Sequence, residues 1–452
     1  MKNTETDFTS GPIFESLFRY AVPLFFSSLI QLLYSTVDMA FVGRVIGETA
    51  AAAVGSGTII INCLIALFSG LSIGVAVVAG HAFGSNDLTV LKKVIENAIL
   101  ISAAAGVILT IAGEIMTPRL LDLLKTPVEL MPMSVTYMRL YLLSLISIVI
   151  FNTSAGALKA IGNSKSPMIY QFFGGLTNVL GNFVFLCVLK LDITGAALTT
   201  ILSQSVVAVI TFSHLFRLPV QFRICLKPIK HDSHIIKEIM RVGTPAAIQA
   251  MVLSISNAFV QSIINLLGIE AIAAFSAYFK AENLIYFSIL AIGQACSAFV
   301  SQNAGACNKE RSYKGVRYSI ALGVGIAVLI ELLYYVFAKQ IIGFFVQNAN
   351  VSELGSVIIH TTIPFYFLYV FIEVLSGAIR GSGRALPPMI ITVIVMCGLR
   401  VAALKVISCH CFSVAGVAMV YPITWLISAG FLFLYYELIK RRERGLILVT
   451  GG

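Results

Sequence analysis

The chain has 452 residues, of which 58% are hydrophobic and only 12% charged. Its mean hydropathy is +0.93. A soluble domain carries about 25% charge, so a soluble enzyme, a disordered chain and a disulfide scaffold are excluded together. The formal charge of +10 suggests either a nucleic-acid partner or a membrane protein with basic cytoplasmic segments. Where the charges fall decides between the two.

The first 15 residues are polar and partly acidic, without the basic-then-apolar order of a cleavable signal. The N-terminus is therefore expected to stay on the cytoplasmic side. Twelve apolar stretches then follow, each long enough for the roughly 20 residues that a bilayer crossing needs. They run over 16–42, 51–82, 92–114, 132–156, 167–189 and 193–216. After a polar gap come 238–266, 271–302, 314–338, 355–378, 387–408 and 412–439. The runs are long and do not alternate, which excludes a β-barrel.

Twelve crossings put both termini on one side. With the N-terminus inside, the inner segments hold 22 Lys and Arg and the outer segments 7, with Arg400 counted outside. Arg139 and Lys280 fall within spans. Such a bias is the positive-inside pattern. It accounts for the net charge, and no nucleic-acid partner is expected.

The chain also repeats itself. Gly156-Ala157-Leu158-Lys159 with Gly162 and Pro167-Met168 returns as Gly377-Ala378-Ile379-Arg380 with Gly383 and Pro388-Met389, an offset of 221. The same offset relates Gly47 to Gly268, Gly84 to Gly305 and Gly195 to Gly416. Arg19 and Pro23 match Arg241 and Pro245 at 222. Six spans per unit return the chain to the same face, so the repeats are parallel. The expected fold is an all-α integral membrane protein. Twelve transmembrane helices form two parallel six-helix bundles, with a pseudo-twofold axis along the membrane normal and a central cleft between them. The domains are read as 1–216, a basic linker 217–237, and 238–452.

The paired loops, with Tyr34-Ser35-Thr36-Val37-Asp38 in the first span and the stretch from Asn265 to Phe275, resemble the MATE family of multidrug and toxic compound extrusion transporters. The likeness runs from about Arg19 to about Trp425. It implies a secondary antiporter in a bacterial-type inner membrane, both termini cytoplasmic, acting as a monomer. Such a protein exports small organic cations or amphipathic drugs in exchange for H⁺ or Na⁺. A lipid or lipid-linked-substrate flippase of the same broad superfamily is the alternative. The major facilitator class also has twelve spans, but 84–89 lacks its basic cluster.

Asp38 is the only charged residue from Tyr20 to Val42. A charge inside a span costs at least ~2.5–3.5 kcal/mol on insertion scales, so it marks function by default. A carboxylate there can take up a proton or bind Na⁺. Spacings of seven and four put Gln31, Tyr34 and Asp38 on one helix face. By the resemblance, Tyr137, Asn178, Asn182 and Thr200 line the same first-half cavity. Asn182 stands where an acid is common in the family, leaving Asp38 as the only acid of that cluster. A cation site is expected from Asp38, Asn178, Asn182 and Thr200, and no other metal site.

In the second half, Glu282 and Glu373 are candidate cavity acids. Lys280 is two residues from Glu282 and points to another face. Glu331 is read as interfacial. Phe172, Phe173, Tyr278, Phe279, Tyr286, Phe287, Tyr366 and Tyr369 are candidate aromatic walls. Pro23, on the same helix as Asp38, is a hinge candidate. Cys409-His410-Cys411 is a possible metal fragment, with small apolar packing the plainer reading. No HExxH, GxxxxGK[ST] or GxSxG motif appears, so neither an enzyme nor an organic cofactor is expected, and the energy source should be an ion gradient.

Overall fold

The computed structural model describes residues 6–218, 231–410 and 412–450, with side chains for all of these except 59, 408–410 and 445–450. Most of the linker stretch lies outside the described residues, as do Cys411 and the side chains of Cys409 and His410.

Among the described residues the secondary structure is helical throughout. The helices of the first half are α1 Ile13–Phe41, α2 Glu48–Ser56, α3 Thr58–Gly84, α4 Leu88–Leu123, α5 Met131–Leu143, α6 Leu145–Ala160, α7 Lys165–Asn182 and α8 Ile193–Leu215. Those that follow are α9 Ser233–Asn265, α10 Ile269–Gly305, α11 Lys309–Val336, α12 Ala338–Phe345, α13 Ala349–Thr362, α14 Tyr366–Gly381, α15 Leu386–Thr392, α16 Arg400–His410 and α17 Val414–Thr450. Eleven spans are long and apolar enough to cross a bilayer, and α5 with α6 makes a twelfth, bent by 41°.

The breaks have local causes. At the α5–α6 bend the buried Ser144 hydroxyl donates to the Tyr141 carbonyl at 2.6 Å. A serine that bonds back to the preceding turn competes with the helix ladder and bends it. The second span is shorter than the sequence reading of 51–82, because Gly57 separates α2 from α3. The tenth span is α13 and α14 joined by one 3-10 turn, Ile363–Phe365, where Pro364 cannot donate a backbone hydrogen bond. Helix α9 starts inside the stretch read as linker. Asp232 Oδ1 accepts from the backbone N–H of His234 at 3.1 Å and of Ile235 at 3.4 Å, capping that start.

The duplication is visible in the backbone. Gly162 and Gly383 take φ of +83° and +84°. In each, the N–H bonds back three residues and the next N–H five, at 3.0 and 2.9 Å in one loop and 2.8 and 3.1 Å in the other. This left-handed ending satisfies the last helix carbonyls and suits glycine. Asn86 and Cys307, also 221 apart, both take positive φ at 58° and 55°. Asp87 and Asn308 follow them and cap α4 and α11 from their side chains.

Contacts divide the chain into two compact units. The first takes the described residues of 22–247 with 6–8 and 305–307, and the second those of 9–21, 248–304 and 308–452. Helices α1 and α9 each contribute to both, changing at Ala21/Val22 and Ala247/Ile248. Pro23 and Pro245 stand beside those two changes.

Inside the first unit the core runs from Val42 and Phe68 through Leu91, Val94, Met138, Leu145, Leu158 and Ile193 to Ile239. Helices α3 and α6 meet through small residues, as membrane helices must when no water drives them together. A Cβ on Gly156 would stand 2.7 Å from the Ser72 carbonyl oxygen. The Ser72 hydroxyl donates to the Asn152 carbonyl at 2.7 Å across the same interface. In the second unit a Cβ on Gly381 would meet the Ser297 carbonyl at 2.6 Å.

Candidate functional site

The first unit gathers its polar side chains at the C-terminal ends of α1 and α7. Asp38 is half-buried. The Asn182 amide donates to Asp38 Oδ1 at 2.8 Å and to Asn178 Oδ1 at 3.3 Å. Asn178 and Asn182 lie one turn apart on α7, 2% and 0% exposed, so both amides face the same buried side. The carbonyl oxygen of Asn182 is buried and has no hydrogen-bond partner. A buried acceptor beside a carboxylate suits an added proton donor or an oxygen-seeking cation.

Nearby, Tyr34 Oη accepts from Gln171 Nε2 at 3.5 Å and from Gln204 Nε2 at 3.4 Å. These long contacts link α1 loosely to α7 and α8. Tyr34, Tyr137 and Tyr141 stand within electrostatic reach of Asp38. Side chains of α5 and α7 therefore stand around the acid of α1, and α8 joins them through Tyr34. Gln31 is exposed, one turn before Tyr34. The buried Thr200 hydroxyl donates to the Ala196 carbonyl on its own helix at 3.2 Å, rather than to the carboxylate. Gln171, Gln204 and Tyr141 were missed by the sequence reading. Two glutamines on a face that already carries Asn178 and Thr200 were the available signal.

A π-helical stretch, Val42–Ile46, follows α1, and another, Phe183–Val188, follows α7 directly after Asn182. Single π turns widen a helix and recur at functional sites.

The second unit holds a cavity of about 430 Å³. Glu282 lines it, while Lys280 is exposed on another face of α10. The Tyr366 hydroxyl donates to Glu282. Tyr366, Tyr369, Tyr421 and Trp425 form a continuous aromatic wall, with ring centroids 4.6 Å apart for Tyr366–Trp425, 5.6 Å for Tyr369–Trp425 and 6.0 Å for Tyr421–Trp425. Of the aromatics singled out in the sequence, Phe279, Tyr286, Tyr366 and Tyr369 line this cavity. Phe172 and Phe173 are instead exposed on the first unit, as expected of lipid-facing side chains.

Glu373 has a different setting. It forms an ion pair with Arg380 at 3.9 Å and accepts from Tyr369 Oη at 3.3 Å. Arg380 also donates to Gln249 Oε1 at 3.2 Å. Tyr369 thus bridges the cavity wall and this buried pair.

Two residues are more buried than their place in the sequence suggests. Glu331, near the end of α11, is buried against its neighbours. Its Oε1 accepts from the Phe367 N–H at 2.7 Å, capping α14 where the Pro364 break frees backbone donors. Arg400, counted above with the outer loops, is only 2% exposed and lines the cavity. It directly follows a third π-helical stretch, Val393–Leu399. An arginine within an otherwise apolar run was the missed signal.

The repeat and the span count agree with the comparisons. A family model described as MatE matches residues 23–184 and again 245–407. The chain belongs to the MatE family, whose members are membrane transporters, and the model's two matches begin 222 residues apart. Among curated relatives, the probable multidrug resistance protein YoeA of Bacillus subtilis is 26% identical over 443 residues, covering 96% of this chain and 95% of its own. The probable multidrug resistance protein NorM of Thermotoga maritima is 26% identical over 388 residues, covering 84% and 82%. A solved outward-facing structure of a multidrug resistance MATE family transporter of the MOP superfamily superposes with a TM-score of 0.90 at 22% identity, covering 97% of this chain and 98% of that one. The last shows the shared fold.

Proposed function

We propose that the chain is a secondary active antiporter that uses alternating access to exchange H⁺ or Na⁺ for cationic or amphipathic organic compounds across a bacterial-type inner membrane, with both termini cytoplasmic. The observation that carries this reading is the Asp38–Asn182–Asn178 cluster. It is a carboxylate on an otherwise uncharged stretch of helix, with an unpartnered buried amide oxygen beside it.

The donor set fits either coupling ion. A proton is held by Asp38 alone. Sodium takes oxygen ligands; Asp38 and Asn178 Oδ1 offer two, and Asn182 adds a third once its side-chain amide turns its oxygen rather than its nitrogen toward them. Thr200 joins only if its hydroxyl leaves the Ala196 carbonyl. When Asp38 releases a proton, the Asn182 amide faces a charged acceptor in place of a neutral one; when it releases Na⁺, the carboxylate no longer shares its charge with the ion. Such a change at the α1–α7 contact is a means of biasing α1, and Pro23 on that helix is the hinge candidate.

The relatives' names, all of multidrug resistance or export type among those given above, favour drug efflux over lipid flipping. Everted membrane vesicles test the reading. Addition of a lipophilic cation such as ethidium should dissipate an imposed H⁺ or Na⁺ gradient only in vesicles that contain the protein. No dissipation of either gradient by cationic or amphipathic compounds would refute coupled antiport.

A further inference from the structure

Arg400 is out of place in a chamber for cations. Its side chain is among the largest that are fully buried in the chain. None of the described carboxylates forms an ion pair with it, whereas Arg380, the other buried arginine of this unit, has Glu373. Its protein contacts are long. The guanidinium donates to Asn257 Oδ1, to the Met396 sulfur and to Thr424 Oγ1, each at 3.4 Å. A thioether is a weak acceptor, and 3.4 Å lies beyond the usual range for nitrogen and oxygen. The Tyr421 ring faces the guanidinium carbon at 4.9 Å. Arg400 Nε is buried with no partner. These contacts hold the fork in place; Glu282 of the same cavity lies within electrostatic reach of it but does not form an ion pair with it.

The fork lines the cavity of about 430 Å³, within the ~300–1,000 Å³ range of small-molecule pockets. An aromatic wall closes one side. The titratable groups that face it are Arg400, Glu282 and the tyrosines 286, 366, 369 and 421. Glu282 is engaged by the Tyr366 hydroxyl.

A buried guanidinium is stabilised by a bidentate carboxylate more than by any neutral acceptor, because two parallel charge-assisted bonds match its planar geometry. We infer that the second unit's cavity is a binding site for the carboxylate end of an aromatic amphiphile, with the carboxylate on Arg400 and the ring against Tyr366, Tyr369 and Trp425. The inference rests on reading this cavity as a substrate chamber. It narrows the amphipathic substrates of the proposed antiporter to those bearing an organic acid. Glu282 makes a preference for cations the natural rival, and a charge series separates them.

Trp425 is the sole tryptophan of the chain, so emission from the full-length protein in detergent, excited at the red edge of tryptophan absorption where its 16 tyrosines do not absorb, reports this cavity. Three probes of similar size are titrated without any ion gradient: phenylacetate, phenylacetamide and phenethylammonium. Phenylacetate should change the emission saturably and bind at least about tenfold tighter than the other two. In Arg400→Gln its affinity should fall about tenfold or more, and the preference over the amide should vanish. Tighter binding of phenethylammonium, no saturable response to phenylacetate, or unchanged phenylacetate affinity in R400Q would overturn the inference. If R400Q does not fold, the ranking of the three probes on the unmodified protein decides. Because this is equilibrium binding, its failure leaves the antiport reading to stand or fall on the vesicle experiment.

Discussion

By the resemblance, Asn182 stands where the family commonly has a second acid, and it touches Asp38. Restoring the acid by Asn182→Asp places a second carboxylate against Asp38, at a contact that now measures 2.8 Å. Two like charges about 4 Å apart repel by ~4 kcal/mol at an effective dielectric constant of 20. The favourable amide-to-carboxylate bond is lost as well, a further ~1.5–3 kcal/mol for a bond to a charged group. The variant can relieve this strain by sharing one proton between the acids or by binding Na⁺ between them. Its melting temperature in detergent, at high pH and without Na⁺, should fall by several degrees. Na⁺ or mild acid should recover most of that loss, whereas the unmodified protein should respond much less. A variant that melts like its parent, with no dependence on Na⁺ or pH, would show that positions 38 and 182 do not share a site.

Substitutions in three further places test the surrounding structure. Arg380→Met leaves Glu373 buried beside Tyr369 without its cation and should cost ~3–5 kcal/mol; adding Glu373→Leu should restore much of the thermal stability, and a double variant no better than the single would refute the pairing. Glu331→Ala removes the acceptor of the Phe367 N–H and should destabilise by ~1–3 kcal/mol, while Glu331→Gln, which keeps an acceptor oxygen, should melt near the parent. Equal melting of both Glu331 variants would contradict the capping role. Gly156→Val drives a side chain into the Ser72 carbonyl and should cost ~1–3 kcal/mol or more, seen as loss of monodisperse protein on size-exclusion chromatography.

Hydropathy and the 221-residue offset made the helical spans and the duplication legible, because crossing length and repeat spacing are one-dimensional properties. Even the paired left-handed glycines, Gly162 and Gly383, sit where the repeat puts them. Asp38 stood out because nothing else nearby carries charge. The contacts of Asp38 with Asn178 and Asn182 needed the resemblance as well, since spacing alone cannot pair α1 with α7. The burial of Arg400 and of Glu331 was not legible for one reason. Both lie toward the end of an apolar run, where a linear count assigns a charge to the nearest interface. Burial there depends on which neighbour supplies partners: the Pro364 break offers Glu331 a free N–H, and the cavity wall surrounds Arg400. Neither is written in the local sequence.

The coupling role of Asp38 is the central claim. Its most direct test is the drug-induced loss of an ion gradient in everted vesicles, comparing the parent chain with Asp38→Asn at matched membrane content. The amide keeps size and hydrogen bonding to Asn182 but cannot carry a negative charge or take up the coupling proton. The account predicts a drug-dependent collapse of the H⁺ or Na⁺ gradient with the parent and none with D38N. Full gradient dissipation by D38N would contradict it.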